Sequence, residues 1–365
     1  MNVLEITSSR QIVIIGLCYV FSATLVTWPG QILRLARQDA WIGVPVCALV
    51  MLAILWLVNR TLHAHPGKDL LTLFVERYGW FGKCLVAGYV LVLSLDMAKD
   101  MRLGTDFVNV VFLPRTPAIL IAVLIVATCV FMVRGGIEIV GRMAELYIPL
   151  FIVVALCAGL LLIPDLSWQY LQPFFEKGVI RPMIGIWYAL DPIGNIMILP
   201  LMFSNRHYTF RQSCIALLVS CGFLEFVLII CQLNLSSTLA GHFMYPAYEA
   251  VREIRLTDFL DRFDLPIVGL WLPTIVIKIG INLYVICSAL QRIWPAADAR
   301  TIVPAVGAWI LVFGFWAFHT SVEVISVNDV WPSMVILWWI VIPVLACTGL
   351  LLMARMQRSR SMHAS

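Results

Sequence analysis

The sequence predicts an all-α integral membrane protein with about ten transmembrane helices. Three observations lead there: the 365 residues are 61% hydrophobic and only 13% charged, long apolar runs follow one another, and polar segments separate them. An ordinary soluble domain is about a quarter charged, and a soluble chain this apolar would expose large hydrophobic patches. The expected organisation is one transmembrane domain over residues 1–365, surrounded by membrane lipid, with a basic cytoplasmic tail at 355–365.

Each apolar run approaches the length of about 20 residues that a helix needs to cross the hydrocarbon core. The links at 99–116, 134–144 and 165–181 are interpreted as polar connections, and the long link at 240–265 predicts a short surface helix. The predicted spans, numbered one to ten, are 11–33, 41–58, 80–98, 117–133, 145–163, 183–203, 213–239, 266–289, 302–318 and 331–353.

The distribution of Lys and Arg predicts the orientation of the chain. Basic residues such as Arg60, Lys68 and Arg77 lie in the first inner loop, Arg355 and others lie in the tail, and the last outer loop at 321–329 has none. We therefore expect both termini in the cytoplasm of a multi-pass cell-membrane protein.

Other function classes find little support in the sequence. The net charge of +4 is too small to indicate a nucleic-acid partner. No nucleophile elbow, zinc-protease motif or phosphate-binding loop is present. Most of the ten cysteines lie in apolar runs without the pairing typical of metal sites. We expect no enzyme activity, no catalytic residue, no metal and no cofactor.

Two spans carry signs of an interrupted helix. Span one contains Ser22, Ala23 and Thr24 followed by Thr-Trp-Pro-Gly, and span six contains Asp191-Pro192-Ile193-Gly194-Asn195. Proline and glycine weaken a helix, and unwound backbone at membrane depth is tolerated where it lines a cavity. Breaks in the first member of each half are typical of a five-plus-five inverted repeat, here about 8–165 and 175–354. Proline kinks that serve packing alone are an equally good interpretation.

Ionisable residues inside spans are candidate functional groups because their burial is costly. Asp191 lies at the break of span six, Glu225 inside span seven and Lys278 inside span eight, while Asp96 is near the end of span three. A structural ion pair of Lys278 with Asp191 or Glu225 is the simpler interpretation.

Aromatic residues supply candidate walls for a pocket. Tyr89, Leu93 and Asp96 share one face of span three. On span eight, Lys278 with Asn282 and Gly280 with Tyr284 define two opposed faces, and either face is a candidate lining. Packing is the simpler role for each tyrosine.

The segments between the spans resemble the B-subunit family of bacterial spore germinant receptors, within the amino acid–polyamine–organocation (APC) transporter superfamily. The resemblance runs in order over nearly the whole chain. Its segments are Ser8-Ser9-Arg10-Gln11, Pro29-Gly30, Gln38-Asp39-Ala40-Trp41-Ile42, Pro66-Gly67-Lys68-Asp69-Leu70, Phe112-Leu113-Pro114-Arg115-Thr116-Pro117, Gly136-Ile137-Glu138 with Arg142 and Glu145, Tyr245-Pro246, Asp258-Phe259-Leu260-Asp261-Arg262 and Lys278-Ile279.

The resemblance implies a LeuT-like APC fold in the inner membrane of the spore. It also implies an A subunit and a lipoprotein C subunit as partners, and a small nutrient, often an amino acid, as ligand. One position departs from the family pattern. Members commonly carry Phe-Gly-Glu after the proline of span six, where this chain has Ile193-Gly194-Asn195, so the carboxylate is missing and Asp191 precedes the proline instead.

These observations give a set of candidate ligand-binding residues and three hypotheses for function. The leading hypothesis is a nutrient-sensing receptor subunit that triggers germination, the second is an ion-coupled amino-acid transporter, and the third is a scaffold that binds no ligand. The candidate residues are Ser22, Ala23, Thr24, Tyr89, Leu93, Asp191, Gly194, Asn195, Lys278 and Tyr284.

Overall fold

The computed structural model describes residues 8–22, 24–204, 208–254 and 264–363, and within these ranges the chain is helical without strands. Fourteen α-helices follow one another through the described residues. They are α1 (Ser9–Phe21), α2 (Thr24–Ala36), α3 (Gly43–His63), α4 (Leu70–Val111), α5 (Ala118–Arg134), α6 (Ile137–Leu161), α7 (Ile180–Gly194), α8 (Ile198–Met202), α9 (Phe210–Ala240), α10 (Pro246–Arg252), α11 (Asp264–Ile293), α12 (Ala299–Ala317), α13 (Ser321–Val335) and α14 (Ile342–His363).

Within the described residues every predicted span falls largely on helical chain, and the predicted link at 240–265 contains the short helix α10. By length and hydropathy, seven helical runs of the described residues can cross a membrane, and Ser9–Phe21, Ala118–Arg134 and Thr301–Ala317 are shorter apolar helices. The multi-pass membrane architecture is therefore confirmed, whereas the number ten stays a prediction.

Span one is interrupted where the sequence predicts it. A capping box between Ser8 and Gln11 starts α1, which ends at Phe21, and α2 begins at Thr24. The prediction is wrong about the following Pro29-Gly30, which lies inside α2. Gly30 serves close packing there, because a Cβ atom would approach the Phe243 carbonyl oxygen to 2.9 Å.

Span six is interrupted more mildly than predicted. The helix continues through Asp191 and Pro192 to Gly194, and one turn of 3₁₀ helix, Asn195–Met197, joins α7 to α8. Every backbone conformation at this junction is right-handed helical. The expected unwinding at Asp191 is therefore wrong, since the helix tightens instead of opening.

Three predicted links are helical in the structure. The link at 99–116 is largely the end of α4, which runs to Val111, the link at 134–144 is mostly the start of α6, and the outer loop at 321–329 belongs to α13. Charged residues suggested loops at these places. In α4 the charges are buried and paired, so the helix continues through them. The basic tail is likewise helical up to His363.

The segment between α6 and α7 is hydrogen-bonded to the residues that connect α2 to α3. We call residues 172–179 the strap, which Arg181 of α7 holds from the following helix. The side chain of Gln38 donates to Glu176 over 3.1 Å, and the backbone N–H of Phe175 donates to Asp39 over 3.0 Å. Arg181 donates to Glu176 over 2.5 Å. The hydrogen bonds that Arg181 and Gln38 donate to Glu176, that of Arg181 first, hold the pKa of Glu176 below its usual range.

Candidate functional site: a charged cavity beside the break in span one

A cluster of charged side chains joins α4 to α11 at the centre of the helix bundle. The Nζ atom of Lys278 lies 2.7 Å from a carboxylate oxygen of Asp100 and 3.4 Å from one of Asp96. All three side chains are at least 95% buried. Because isolated charges are strongly disfavoured in such surroundings, each depends on the others for compensation.

A second ammonium group links this cluster to α7. The Nζ atom of Lys99 lies 3.7 Å from Asp96 and 3.9 Å from Asp191. It also sits 4.2 Å from the ring centroid of Trp331, in the geometry of a cation–π contact. Asp191 at the end of α7 thus faces the cluster through Lys99.

The five charged residues do not balance. Asp96, Asp100 and Asp191 contribute three carboxyl groups against the two ammonium groups of Lys99 and Lys278. The neighbouring pair of Arg102 and Asp106, 3.4 Å apart, is balanced by itself. One carboxyl group is therefore in excess, and a cation, a proton or a ligand's amino group would neutralise it.

Polar side chains of α1 and α11 anchor the cluster to span one. Asn282 donates to Asp96 over 3.2 Å and accepts a hydrogen bond from the hydroxyl of Tyr19. The Lys278 ammonium group lies 5.3 Å from the centroid of the same tyrosine ring. The face of α11 that carries Lys278 and Asn282 is therefore the one toward the cluster, while Gly280 faces Met132 on α5.

A small cavity opens among these charges. It encloses about 20 Å³, which is enough for about one water molecule. The buried Asn328 side chain lines it, and its Oδ1 atom has no hydrogen-bond partner among the described residues. The lining residues are Thr27, Trp28, Gln31, Lys99, Asp100, Leu103, Asp191, Asn195, Lys278 and Asn328.

The break in span one falls between Tyr19, which contacts the charged cluster, and Thr27, which lines this cavity. Ser22 follows the last residue of α1, is fully buried, and its backbone carbonyl accepts a hydrogen bond of 2.5 Å from the indole of Trp271. Its hydroxyl oxygen has no partner within the described chain. One turn earlier, Cys18 donates to the carbonyl of Thr274 over 3.4 Å. The interrupted backbone is thus held against α11.

The structure brings together part of the predicted site. Asp191, Asn195 and Lys278 line the cavity, and Ser22 lies at the neighbouring break. Gly194, next to Asn195, packs closely against α13, because a Cβ atom there would overlap the side chain of Val335. Asp191, Asn195 and Lys278 therefore share one polar cavity, and their role in binding a ligand stays a prediction.

Other predicted site residues lie elsewhere. The Tyr89 hydroxyl donates to the carbonyl of Trp338 over 2.7 Å, Leu93 is fully buried in the core, and Tyr284 packs partly buried against that core. None of the three lines the cavity. Ala23 lies outside the described residues, and only the backbone of Thr24 is described.

The predicted pairing of Lys278 is wrong. Its carboxylate partners are Asp100 and Asp96, both on α4, whereas Asp191 pairs with Lys99. Both carboxyl oxygens of Glu225 lack a hydrogen-bond partner in the described part of the chain.

Sequence reasoning missed the α4 side of the cluster. Lys99 and Asp100 were assigned to a polar link, and Asp96 was left out of the predicted site. Asp96, Lys99 and Asp100 follow the i, i+3, i+4 spacing that places residues on one helix face. That periodicity is the signal that predicts a longer helix with a charged inner face.

The described residues hold no group of three or more His, Cys, Asp or Glu side chains suited to a metal ion. The cluster offers carboxylates and ammonium groups side by side. Such a surface complements small zwitterions and cations by direct hydrogen bonds.

The fold has the LeuT-like architecture of solved membrane transporters. Two solved structures resemble it: MhsT in complex with L-phenylalanine, with a TM-score of 0.63 at 12% identity over 95% of this chain and 99% of that one, and Mhp1, a nucleobase-cation-symport-1 family transporter with bromovinylhydantoin bound, with a TM-score of 0.59 at 13% identity over 91% and 76%. The class is therefore a multi-pass membrane protein of transporter-like fold.

The sequence comparisons identify the family within this class. A family described as "Spore germination protein" matches residues 6–322. YfkT of Bacillus subtilis (strain 168), whose name describes a spore germination protein, is 30% identical over 93% of this chain and 94% of its own length. Spore germination protein XB of Bacillus anthracis is 21% identical over 70% and 72%. The chain belongs to the spore germination protein family.

Proposed function

We propose that this chain is the membrane subunit of a spore germinant receptor, and that it binds a small nutrient in the charged cavity and triggers germination. The observation that carries the proposal is the cluster of two ammonium and three carboxyl groups beside the break in span one. Membership of the spore germination family supports the biological role.

An amino acid is the ligand that best fits this chemistry. Its carboxylate complements Lys278 or Lys99, its ammonium group complements the excess carboxyl group at Asp191 or Asp100, and Asn195 and the Ser22 hydroxyl, which has no partner among the described residues, offer further polar contacts. With about 20 Å³ the cavity holds far less than an amino acid, so binding requires span one and span six to separate. A ligand that binds the opened arrangement would shift the population toward it.

The rest of the proposal concerns the setting of the subunit. The chain acts without enzymatic activity in the inner membrane of the spore, with both termini in the cytoplasm and two repeats at about 8–165 and 175–354. An A subunit and a lipoprotein C subunit respond to the shift in population toward the opened arrangement of spans one and six.

Germination of spores that carry single substitutions tests this role. We expect D191N to remove nutrient-triggered germination, because the substitution deletes a carboxyl group that lines the cavity without changing side-chain size. The control is D165N, since Asp165 is exposed, and the amount of each variant in spore membranes is measured in parallel. Normal germination of D191N spores with every nutrient that triggers the wild type would contradict the proposal.

An ion-coupled amino-acid transporter of the same fold is the second candidate. The excess carboxyl group favours it, because a coupled proton or cation has a place to bind. Purified chain in liposomes separates the two: uptake of an amino acid that requires a proton or sodium gradient indicates transport, whereas saturable binding without uptake indicates sensing.

A further inference from the structure

A second, larger cavity lies between α6, α9, α10 and α11. It encloses about 90 Å³, and its lining is apolar and aromatic, with Phe151 and Ala158 from α6, Val227 from α9, Ala250 from α10 and Trp271 from α11. Apolar cavities of this kind stay dry, and one of about 150 Å³ is known to take up benzene or xenon. The walls therefore favour an uncharged apolar guest that is smaller than benzene or similar to it.

This apolar cavity is separate from the charged one. On α11, Trp271 lines the apolar cavity and Lys278, seven residues later, lines the charged cavity. On α4, Phe107 lines the apolar cavity and Asp100, seven residues earlier, lines the charged one. Seven residues of helix correspond to about 10 Å. A small ligand seated among the charges does not reach that far, so the two cavities are independent sites.

Two apolar spans supply cavity-lining side chains that are not fully buried. Ala155 on α6, and Phe226 and Ile230 on α9, line the cavity and are only partly buried, and both helices are apolar spans. A guest that enters past these side chains meets apolar groups, as a molecule dissolved in hydrocarbon does.

The same cavity touches the interrupted part of span one. The Phe21 ring packs 6.1 Å from that of Phe151 and 4.8 Å from that of Phe223, both of which line the cavity. Trp271 forms another wall and donates its indole N–H to the carbonyl of Ser22. A guest in the cavity therefore packs against Phe151, Phe223 and Trp271, the three residues that contact the end of α1.

We propose that this cavity binds a small uncharged apolar molecule from the bilayer, and that its occupancy stabilises the arrangement in which α1 is fixed to α11. The site lies outside the one proposed for the nutrient and does not depend on it. Binding displaces no ordered water, because apolar cavities of this kind stay dry. The guest gains dispersion and hydrophobic contacts, so its shape and volume set the selectivity of the site.

Photolabelling of the full chain in lipid nanodiscs tests the proposal. The probe is a short alkyl diazirine, and labelled peptides are mapped by mass spectrometry with and without an excess of the parent alkane. We expect saturable labelling of the segments 151–162 and 223–231. Filling the cavity with A250L or A158L lowers the apparent affinity at least about tenfold, because pocket volume discriminates at the level of single methylene groups.

The matched control is A53L, which adds the same atoms at an exposed position of α3 and leaves the labelling unchanged. Two substitutions on different helices guard against misfolding of one of them, and thermal unfolding of each variant shows that it is folded. Labelling that no alkane competes away, labelling equal in A250L, A158L and A53L, or labelling obtained with a diazirine phospholipid and not with the small probe would each overturn the proposal.

Discussion

Two cavities lie on either side of the interrupted end of α1, and they differ in size and chemistry. The charged cavity encloses about 20 Å³ and the apolar cavity about 90 Å³. In the first, the protein's own Lys278, Asp100, Asp191 and Lys99 occupy the space and satisfy most of one another's charge. The second is lined mainly by apolar and aromatic side chains. The comparison shows that ion pairs fill most of the charged cavity, so a polar ligand would have to replace them. The apolar cavity already has empty volume, so a small apolar guest needs no ion pair to break.

Removal of the ammonium group of Lys278 from the charged cavity should have the largest effect on the free energy of unfolding. K278M leaves Asp96 and Asp100 buried without their principal cation, and breaking a buried pair costs about 3–5 kcal/mol of unfolding free energy. The measurement is a titration with denaturing detergent from mixed micelles. The control is K68M at a partly exposed ion pair, where the loss should be about 0–1 kcal/mol. Equal stability of K278M and K68M would show that Lys278 does not hold the cluster together.

The close packing at the junction of span six should have the next largest effect. G194A forces a methyl group into the Val335 side chain, and such overpacking costs about 1–3 kcal/mol. G222A is the matched control, since a Cβ atom there meets nothing within 4 Å, and it should be neutral or stabilising. The same detergent titration measures both.

A rescue experiment distinguishes overpacking from other causes at this position. The double variant G194A/V335A should regain part of the lost stability, because the second change removes the atoms that clash. If V335A instead adds its own cost in full, the close contact between α7 and α13 is not the reason for the glycine.

The sequence predicted more of the fold than of the site. Apolar runs and the break near Ser22 follow from local composition, and the structure places both where the sequence indicates. Prolines mark where an interruption is permitted but not its extent, so Pro29 and Pro192 lie within helices. The α4 half of the cluster was missed because charge near a span end usually indicates a loop. Tertiary pairing with Lys278 compensates Asp96 and Asp100 in a buried helix, and their helical spacing shows a shared face without naming the partner on α11.

Loss of the ion pair between Glu176 of the strap and Arg181 should have the smallest effect on the protein, and this effect depends on pH. Since the folded pKa of Glu176 lies below its ordinary value of 4.5, its pairing with Arg181 is fully present above that value. The pairing is lost as the pH falls through the lower folded pKa. The protection factor of the strap amides, which corrects exchange for the pH dependence of its intrinsic rate, should therefore fall on acidification below the ordinary value. E176Q should show the lower protection at all pH values, and an unchanged pH profile of protection in E176Q would assign the effect to another group.

Binding of amino acids to the purified chain tests the proposed site most directly. Equilibrium binding of a panel of radiolabelled amino acids is measured for the wild type, D191N and the exposed control D165N, each shown to be folded by thermal unfolding. We expect saturable binding of at least one amino acid to the wild type and D165N, with a loss of about tenfold or more in D191N, as for a hydrogen bond to a charged group. Equal affinity of the wild type and D191N, or no binding of any amino acid to the wild type, would contradict a nutrient site in the charged cavity.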